Sequence, residues 1–144
     1  MEVISKNNGI LTNVEVLEFL KEKKDLREKS SSRNEMVEPS DPLRNRDKVE
    51  KQTLDFLQDQ DNTISETTVE MNSKFLAEMK KLQAENDDYY VTESEFLQLC
   101  NQVPNQEVEL FLILEDCDKR YTSEMLEKIL SVIKTCFNLP DDEE

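Results

Sequence analysis

Apolar side chains recur at helical spacing close to the start of the chain. Thr12 followed by Glu15 is a capping-box pattern, in which each side chain accepts a hydrogen bond from the other residue's backbone N–H. This start signal predicts a helix from about residue 13 to about residue 24. The apolar side of that helix is formed by Val16, Leu17 and Leu20.

A second, shorter helix is predicted after a polar connection. Residues 25–46 contain two prolines, a serine run and mixed charge, and we expect them to form a mobile linker. Asp47 with Glu50 offers another capping box, which would open the helix. Residues 59–71 are again polar, and the linker that we place there spans 61–71. The residues expected on one face of this second helix are Val49, Thr53, Phe56 and Leu57.

Two further helical patterns follow the second linker. One runs from about 73 to about 85 and is broken by Asn86, Asp87 and Asp88. The next begins at a third capping box, Thr92 with Glu95, and stops before Pro104. The apolar positions of the two patterns are Phe75, Leu76, Met79 and Leu82, then Phe96, Leu97 and Cys100.

The last two patterns complete a compact helical unit. Asn105 is a suitable N-cap for one helix, and Thr122 or Ser123 opens the other, which ends at Pro140. We expect the inward residues to be Val108, Phe111, Leu112 and Cys117 in the first, and Met125, Ile129, Ile133 and Cys136 in the second.

Composition supports an all-α fold. Glycine occurs once and the four prolines all lie outside the periodic stretches, whereas helix-forming residues are abundant. We divide the chain into a helical amino-terminal segment, 1–60, the linker 61–71, a small helical bundle, 72–138, and an acidic tail, 139–144.

The charge balance limits the classes of partner. The chain carries 18 basic and 33 acidic residues, a net charge of −15, and residues 71–144 alone carry 7 basic and 17 acidic residues. Phosphate backbones and anionic lipids attract positive charge. We therefore expect neither direct nucleic-acid binding nor membrane binding, and we interpret Lys74, Lys80 and Lys81 as solvated helix lysines.

Cysteine and histidine usage argues against metal and disulfide chemistry. Cys100, Cys117 and Cys136 are an odd number without a CxxC pair, and the chain has no histidine. A structural zinc site or a disulfide framework is therefore not expected. No stretch has the length and apolarity of a membrane span, and the first residues do not form a secretory signal. These features predict a soluble intracellular protein without a cofactor.

The charged cluster EDCDKR, residues 115–120, is the strongest candidate for chemistry. Paired carboxylates do acid–base work only in a cleft that separates their pKa values, and nothing in the sequence indicates a cleft. Cys117 as a nucleophile needs a base or a helix N-terminus, whereas the pattern places it near a helix C-terminus. An EF-hand is excluded because the third ligand and the turn glycine are missing. We interpret the cluster as a solvated helix end, and we assign no catalytic residue.

Three segments in this order resemble a known family. They are LTNVEVLEFL near the start, then F-L-x-E-M-x-K-L, then FLQLCNQVPNQEVELFLILEDCDKRYTSEMLEKIL. Together they resemble the smaller stalk subunit of RNA polymerase III, which is the counterpart of the fourth-largest subunit of RNA polymerase II and of the small stalk protein of archaeal polymerases. The resemblance covers roughly 10–22 and 72–135. The residues of its most specific part are Leu97, Asn101, Pro104, Ile113, Glu115, Cys117, Lys119 and Arg120.

The resemblance implies a heterodimer in the nucleus. Such subunits pair with a larger stalk protein that has a tip domain and an OB-fold domain, and the amino-terminal part packs on the tip. The carboxy-terminal part is a bundle similar to the helicase and ribonuclease D carboxy-terminal domain. The heterodimer projects from the polymerase core and supports promoter-directed initiation at small RNA genes through initiation factors. The residues that we expect to bind the partner are Leu11, Val16, Leu17 and Leu20.

Several alternatives stay open at this point. The first helix could fold back on the bundle instead of binding a partner. Arg120 could pair with Glu115 or Asp116, or it could contact another polymerase or factor surface. The related bundles bind nucleic acid, but the negative charge argues against carrying that activity over. The alternative function is a free-standing acidic helical adaptor, for example one associated with a membrane receptor.

Overall fold

A computed structural model of the chain describes residues 9–30, 43–59, 66–85 and 90–139. Within these ranges all regular secondary structure is helical and no strand occurs, which confirms the predicted all-α class. The helices are α1 Asn13–Ser30, α2 Leu43–Leu57, α3 Val69–Ala84, α4 Glu93–Gln102, α5 Glu107–Ile113, α6 Cys117–Arg120 and α7 Ser123–Phe137.

Helix α1 starts where the sequence predicts but runs further. The backbone N–H and the hydroxyl of Thr12 both donate to Glu15 Oε2, at 2.7 and 2.8 Å, so the predicted capping box is present. The helix continues to Ser30 alongside α2, and Arg27 pairs there with Glu50 at 2.6 Å. Residues 25–30 are therefore helical, although the sequence placed them in a linker.

Helix α2 corrects two predictions. It begins at Leu43, so Asp47 lies inside the helix and the predicted capping box with Glu50 was wrong. The Asp47 carboxylate instead pairs with Arg46 at 2.9 Å and with Arg27 of α1 at 3.2 Å. Val49 and Phe56, predicted on the packed face, are 60% and 66% exposed, because Leu54 and Leu57 form that face. The predicted linker residues 31–42 and 60–65 lie outside the described residues, as do Asn86 to Asp88, Pro140 and most of the acidic tail.

The main core joins α3 and α7 with α4, α5 and α6. Helix α3 begins at Val69, within the predicted second linker, because the Thr68 hydroxyl accepts from Met71 N at 3.3 Å and caps the helix. Phe75 is fully buried. The centroid of its ring lies 5.2 Å from the ring centroid of Phe96 and 5.4 Å from that of Phe137. Burial of one such side chain contributes roughly 2–3 kcal/mol. Further predicted core residues that are buried are Met79, Cys100, Cys117, Ile129, Ile133 and Cys136.

Helix α5 buries a different face from the predicted one. Leu110 and Leu114 are 0% and 3% exposed and belong to the main core. Val108, Phe111 and Leu112 are 68%, 42% and 83% exposed, so their predicted inward placement was wrong. The run is apolar on both faces, and contact with α4 and α7 decides which face is buried. Leu76 of α3, also predicted inward, is 38% exposed.

The chain breaks between α5 and α6, where the sequence predicted one continuous helix. Leu114 is extended, and Asp116 adopts the left-handed conformation with φ of 50°. Aspartate tolerates this conformation better than most residues because its short side chain can bond locally. Cys117 is consequently the first residue of α6, and its predicted position near a helix C-terminus was wrong.

The amino end of α1 is attached to the bundle by two hydrogen bonds. The backbone N–H of Asn13 donates to Asn101 Oδ1 at 2.9 Å, and Asn72 Nδ2 donates to Thr12 Oγ1 at 3.3 Å. The rest of α1 packs on α2 through a small cluster of Val14, Leu17, Leu54 and Leu57. The fold-back alternative therefore holds for the start of α1.

Candidate partner-binding surface and the Arg120 centre

The four residues predicted to bind a partner occupy different environments. Leu11 is 59% exposed, Val16 and Leu20 are half-buried, and Leu17 is 6% exposed because it packs against α2. Leu17 is therefore part of the packing between α1 and α2. Of the four residues, Leu11 is the most exposed and the most accessible to another protein. That these residues bind a partner stays a prediction.

Other apolar residues of α1 and α2 are exposed, and the sequence reasoning missed their significance. Phe19 and Leu26 on α1 are 51% and 52% exposed. Val49 and Phe56 on α2 are exposed as well, and the cluster between the two helices contains four buried residues in the described part of the chain. Exposed apolar surface of this kind marks interaction sites. A signal was present, since apolar residues on α1 occupy more than one face.

A groove of about 400 Å³ lies where the chain enters α1. Ile10 and Leu76, both partly exposed, line it together with the half-buried Phe96 and Leu97. The buried Oδ1 of Asn72 accepts no hydrogen bond from the described residues. Thr12, Glu15, Lys80 and Glu93 also line the groove, so its walls are of mixed polarity.

Arg120 lies at the centre of a polar network that joins α4, α5 and α6. Its guanidinium donates to both carboxylate oxygens of Glu95, at 2.6 and 3.3 Å, to the carbonyl of Glu115 at 2.9 Å and to the carbonyl of Tyr90 at 2.8 Å. It also lies over the rings of Tyr90 and Tyr121, at 4.8 and 5.0 Å from the ring centroids. The Tyr121 hydroxyl donates to the same Tyr90 carbonyl at 2.9 Å. These contacts fix the turn between α5 and α6.

Glu95 is the buried acceptor of this network. Its side chain is 7% exposed and accepts from the Thr92 N–H and hydroxyl, both at 2.8 Å, and from the Glu115 N–H at 2.9 Å. Burial alone would raise the pKa of Glu95. The hydrogen bonds from Arg120, Thr92 and Glu115 outweigh it and lower the pKa from 4.5 to about 2.

This geometry corrects the predicted partner of Arg120. Arg120 pairs with Glu95, 25 residues away, and not with the side chain of Glu115 or Asp116. Asp116 pairs instead with Lys119 at 3.1 Å. The prediction that Arg120 contacts another protein stays untested, but its polar groups are already engaged within the chain. The sequence identified Glu95 as a capping residue and gave no signal of its second role.

Acid pH tests the charged state of Glu95. Because its folded pKa lies below its usual value, its contribution is present above about pH 4.5 and is lost as the pH falls towards 2. We expect this group to account for roughly 3 kcal/mol of the free energy of unfolding, at about 1.4 kcal/mol for each pKa unit. Urea denaturation at several pH values in this range should show the free energy of unfolding of the native chain falling with pH. The free energy of Glu95→Gln should fall less steeply. Equal slopes in the two proteins would contradict the assignment.

The three cysteines are buried thiols. Burial raises the pKa of Cys100 to about 12, and burial together with the nearby Asp118 carboxylate raises the pKa of Cys117. A thiol with a raised pKa is a poor nucleophile at neutral pH. Among the described residues, no group of three His, Cys, Asp or Glu could hold a metal ion, and no helix has the length and apolarity to cross a membrane.

Positions in the EDCDKR cluster should differ in their effect on stability. Cys117 is 5% exposed, so Cys117→Ala should lower the free energy of unfolding by about 1 kcal/mol. Glu115 and Asp118 are exposed, and alanine at either should change it by less than about 0.5 kcal/mol. Urea denaturation of the three variants measures this. If Asp118→Ala lowered the free energy of unfolding more than Cys117→Ala, Asp118 would not be a solvated charge and the interpretation of the cluster would be wrong.

Comparison with known families places nearly all of this structure within one of them. A family model described as RNA polymerase Rpb4 matches residues 10–137. The matched range includes all seven helices of the described chain, from the capping box at Thr12 to the end of α7 at Phe137.

Proposed function

The chain belongs to the RNA polymerase Rpb4 family, and from this premise we propose that it is the smaller stalk subunit of RNA polymerase III. The observation that carries the stalk-subunit part of the proposal is the family match over residues 10–137. As a member of the family, the chain is a non-catalytic RNA polymerase subunit. The assignment to polymerase III is supported by the order and spacing of the segments that resemble that subunit.

The proposed partner is the larger stalk subunit with an OB-fold domain. Leu11, which precedes α1, and Phe19 and Phe56 of the α1–α2 pair are exposed, and the core of the pair is small. A partner surface over this pair would remove these side chains from water. We propose that Leu11, Val16 and Leu20 contribute to the contact, with Leu17 supporting them from below.

The proposed role is to support promoter-directed initiation at small RNA genes, in the nucleus. With a net charge of −15, the chain is unsuited to holding DNA directly. It would act as a scaffold that joins the larger stalk subunit, the polymerase core and initiation factors. The free-standing adaptor is the competing function, and the family match favours the polymerase.

In vitro transcription tests the initiation role. Polymerase III lacking this chain should initiate poorly at a promoter with purified initiation factors. It should still extend RNA on a template with a single-stranded tail, where initiation factors are not needed. Adding the chain with the larger stalk subunit should restore promoter-directed synthesis. Normal promoter-directed synthesis without the chain, or equal loss on both templates, would reject the role.

A further inference from the structure

The start of α1 meets α3 and α4 through polar side chains. Two hydrogen bonds join the two sides, from the Asn13 N–H to Asn101 Oδ1 at 2.9 Å and from Asn72 Nδ2 to Thr12 Oγ1 at 3.3 Å. The second bond is long for an N–H donor. We call these four residues the α1 joint. Because their side chains are polar, hydrophobic burial contributes little to holding the two sides of the joint together.

Apolar packing between the α1–α2 pair and the bundle is sparse. In the described part of the chain, no hydrophobic residue of α1 or α2 packs on the main core. Val69, half-buried at the start of α3, is the hydrophobic residue of the bundle that packs on the α1–α2 cluster. The groove of about 400 Å³ runs along the joint, and atoms that line a groove lack partners on one side. The α1–α2 pair and the bundle are therefore packed better internally than against each other.

Asn72 makes the closed joint less stable. It is 8% exposed, and its Oδ1 accepts no hydrogen bond from the described residues. The Thr12 hydroxyl cannot supply one, because it already donates to Glu15 Oε2 at 2.8 Å. A buried acceptor without a donor costs free energy that contact with water would recover. Opening of the joint would thus give Asn72 Oδ1 a hydrogen-bond partner that it lacks in the closed state.

The thiol of Cys100 lies beside the joint. It is 1% exposed, and the next residue, Asn101, holds the start of α1. Burial raises the pKa of Cys100 to about 12, and the Glu15 carboxylate of α1 adds to this effect. Both causes depend on the closed joint, since α1 carries Glu15. Cys136, which is 2% exposed on α7, is a second buried thiol in the same core.

We propose that the α1 joint opens reversibly in the folded protein and uncovers the Cys100 thiol. In the open state the start of α1 leaves α3 and α4 and takes α2 with it, while the α1–α2 cluster and the main core both stay packed. Water then reaches Asn72, and Cys100 becomes able to react as a thiolate with small thiol-reactive molecules. This inference goes beyond the proposed function and does not depend on which polymerase the chain serves.

Alkylation by iodoacetamide tests the proposal in the full chain. A buried cysteine reacts only when the structure around it opens, and digestion at glutamates separates the peptides of Cys100 and Cys136 for mass spectrometry. Asn13→Pro removes the N–H that binds Asn101, and proline is favoured at the first position of a helix. We expect the alkylation rate of Cys100 to rise by about fivefold or more, the effect of losing one hydrogen bond, and that of Cys136 to stay unchanged.

Ser123→Pro is the matched control for Asn13→Pro. It places a proline at the first position of α7, directly after the Thr122 cap. The alkylation rate of Cys100 should be the same in this variant as in the native chain. No change of that rate in Asn13→Pro, or an equal rise in Ser123→Pro, would overturn the proposal. An equal rise at Cys136 would overturn it as well, because the bundle itself would then be unfolding.

Asn72→Leu should change the same rate in the opposite direction. Leucine is close to asparagine in size and removes the unpaired acceptor together with one long hydrogen bond. We expect the closed joint to become more stable and the alkylation of Cys100 to slow severalfold. Faster alkylation would show that Asn72 holds the joint closed, and its proposed role would be wrong.

Hydrogen exchange distinguishes movement of the α1–α2 pair from its unfolding. In Asn13→Pro, protection beyond the first turn of α1 and throughout α2 should be retained, because the cluster between these helices stays packed in the open state. Faster alkylation of Cys100 accompanied by loss of this protection would mean that the pair unfolds. That result would overturn the proposed movement of the two helices as a unit.

Discussion

Arg120→Ala is expected to lower the free energy of unfolding of the chain by about 3 kcal/mol, the lower end of the range for breaking a buried ion pair. The substitution leaves the Glu95 carboxylate, 7% exposed, without its cation. It also removes the donors to the Tyr90 and Glu115 carbonyls. For a domain of this size, Tm should fall by more than about 10 °C. Thermal and urea denaturation measure the loss.

Lys119→Ala is the matched control for Arg120→Ala. Lys119 is the adjacent cation, and its pair with Asp116 lies at the surface, with side chains 77% and 62% exposed. Exposed pairs contribute between about 0 and 1 kcal/mol, so Lys119→Ala should melt almost as the native chain does. If Arg120→Ala also melted normally, the network would not stabilise the fold, and a contact to another protein would become the better explanation of Arg120.

Leu17→Asp is expected to unfold the α1–α2 pair while the bundle stays folded. Leu17 is 6% exposed between Val14, Leu54 and Leu57, and an aspartate there would bury a charge without a counter-ion. The cost is at least about 3 kcal/mol, more than so small a cluster can offset. Hydrogen exchange should show protection lost in α1 and α2 and retained in α3, α4 and α7. Binding to the larger stalk subunit should be lost as well.

Leu11→Asp separates partner contact from internal packing. Leu11 is 59% exposed, so the aspartate remains solvated in the free chain and exchange protection should not change. If Leu11 is covered by the larger stalk subunit, affinity for that subunit should fall by about tenfold. Unchanged affinity in Leu11→Asp would remove Leu11 from the interface. For the Leu17→Asp variant, loss of exchange protection in the bundle as well would show that the α1–α2 cluster and the main core do not unfold independently.

The sequence predicted best the elements with local start signals and a single apolar face. The Thr92–Glu95 capping box places α4, and both of its reciprocal hydrogen bonds are present. Helix α7 begins at the predicted Thr122 cap, and its inward positions Ile129, Ile133 and Cys136 are all buried. In these helices the cap and the apolar periodicity predict the same helix start and the same buried face, and the structure agrees with both.

Helix α5 shows why periodicity alone can fail. Leu110 and Leu114 are four residues apart, and so are Val108 and Leu112. Both sets therefore fit one face of a helix, and only contact with α4 and α7 selects the first. From the sequence alone, the exposed residues Val108 and Leu112 could not be distinguished from the core residues Leu110 and Leu114.

The Arg120 centre depends on contacts that are distant in sequence. Local pairing rules consider partners three or four residues away, which favoured Asp116. The break at Leu114 and the left-handed Asp116 turn Arg120 towards Glu95 instead. The predicted capping box at Asp47 was wrong because α2 begins at Leu43, and within the helix the Asp47 carboxylate pairs with Arg27 of α1. Such pairings follow from the fold and cannot be obtained from spacing.

Affinity purification of the tagged chain from nuclear extract, with quantitative mass spectrometry, tests the central claim most directly. The account predicts recovery of the large catalytic subunits of RNA polymerase III and of the larger OB-fold stalk subunit, in amounts equal to the chain itself. The large subunits of RNA polymerase II should stay at background. Recovery of the chain without polymerase subunits, or with those of polymerase II in place of polymerase III, would contradict it.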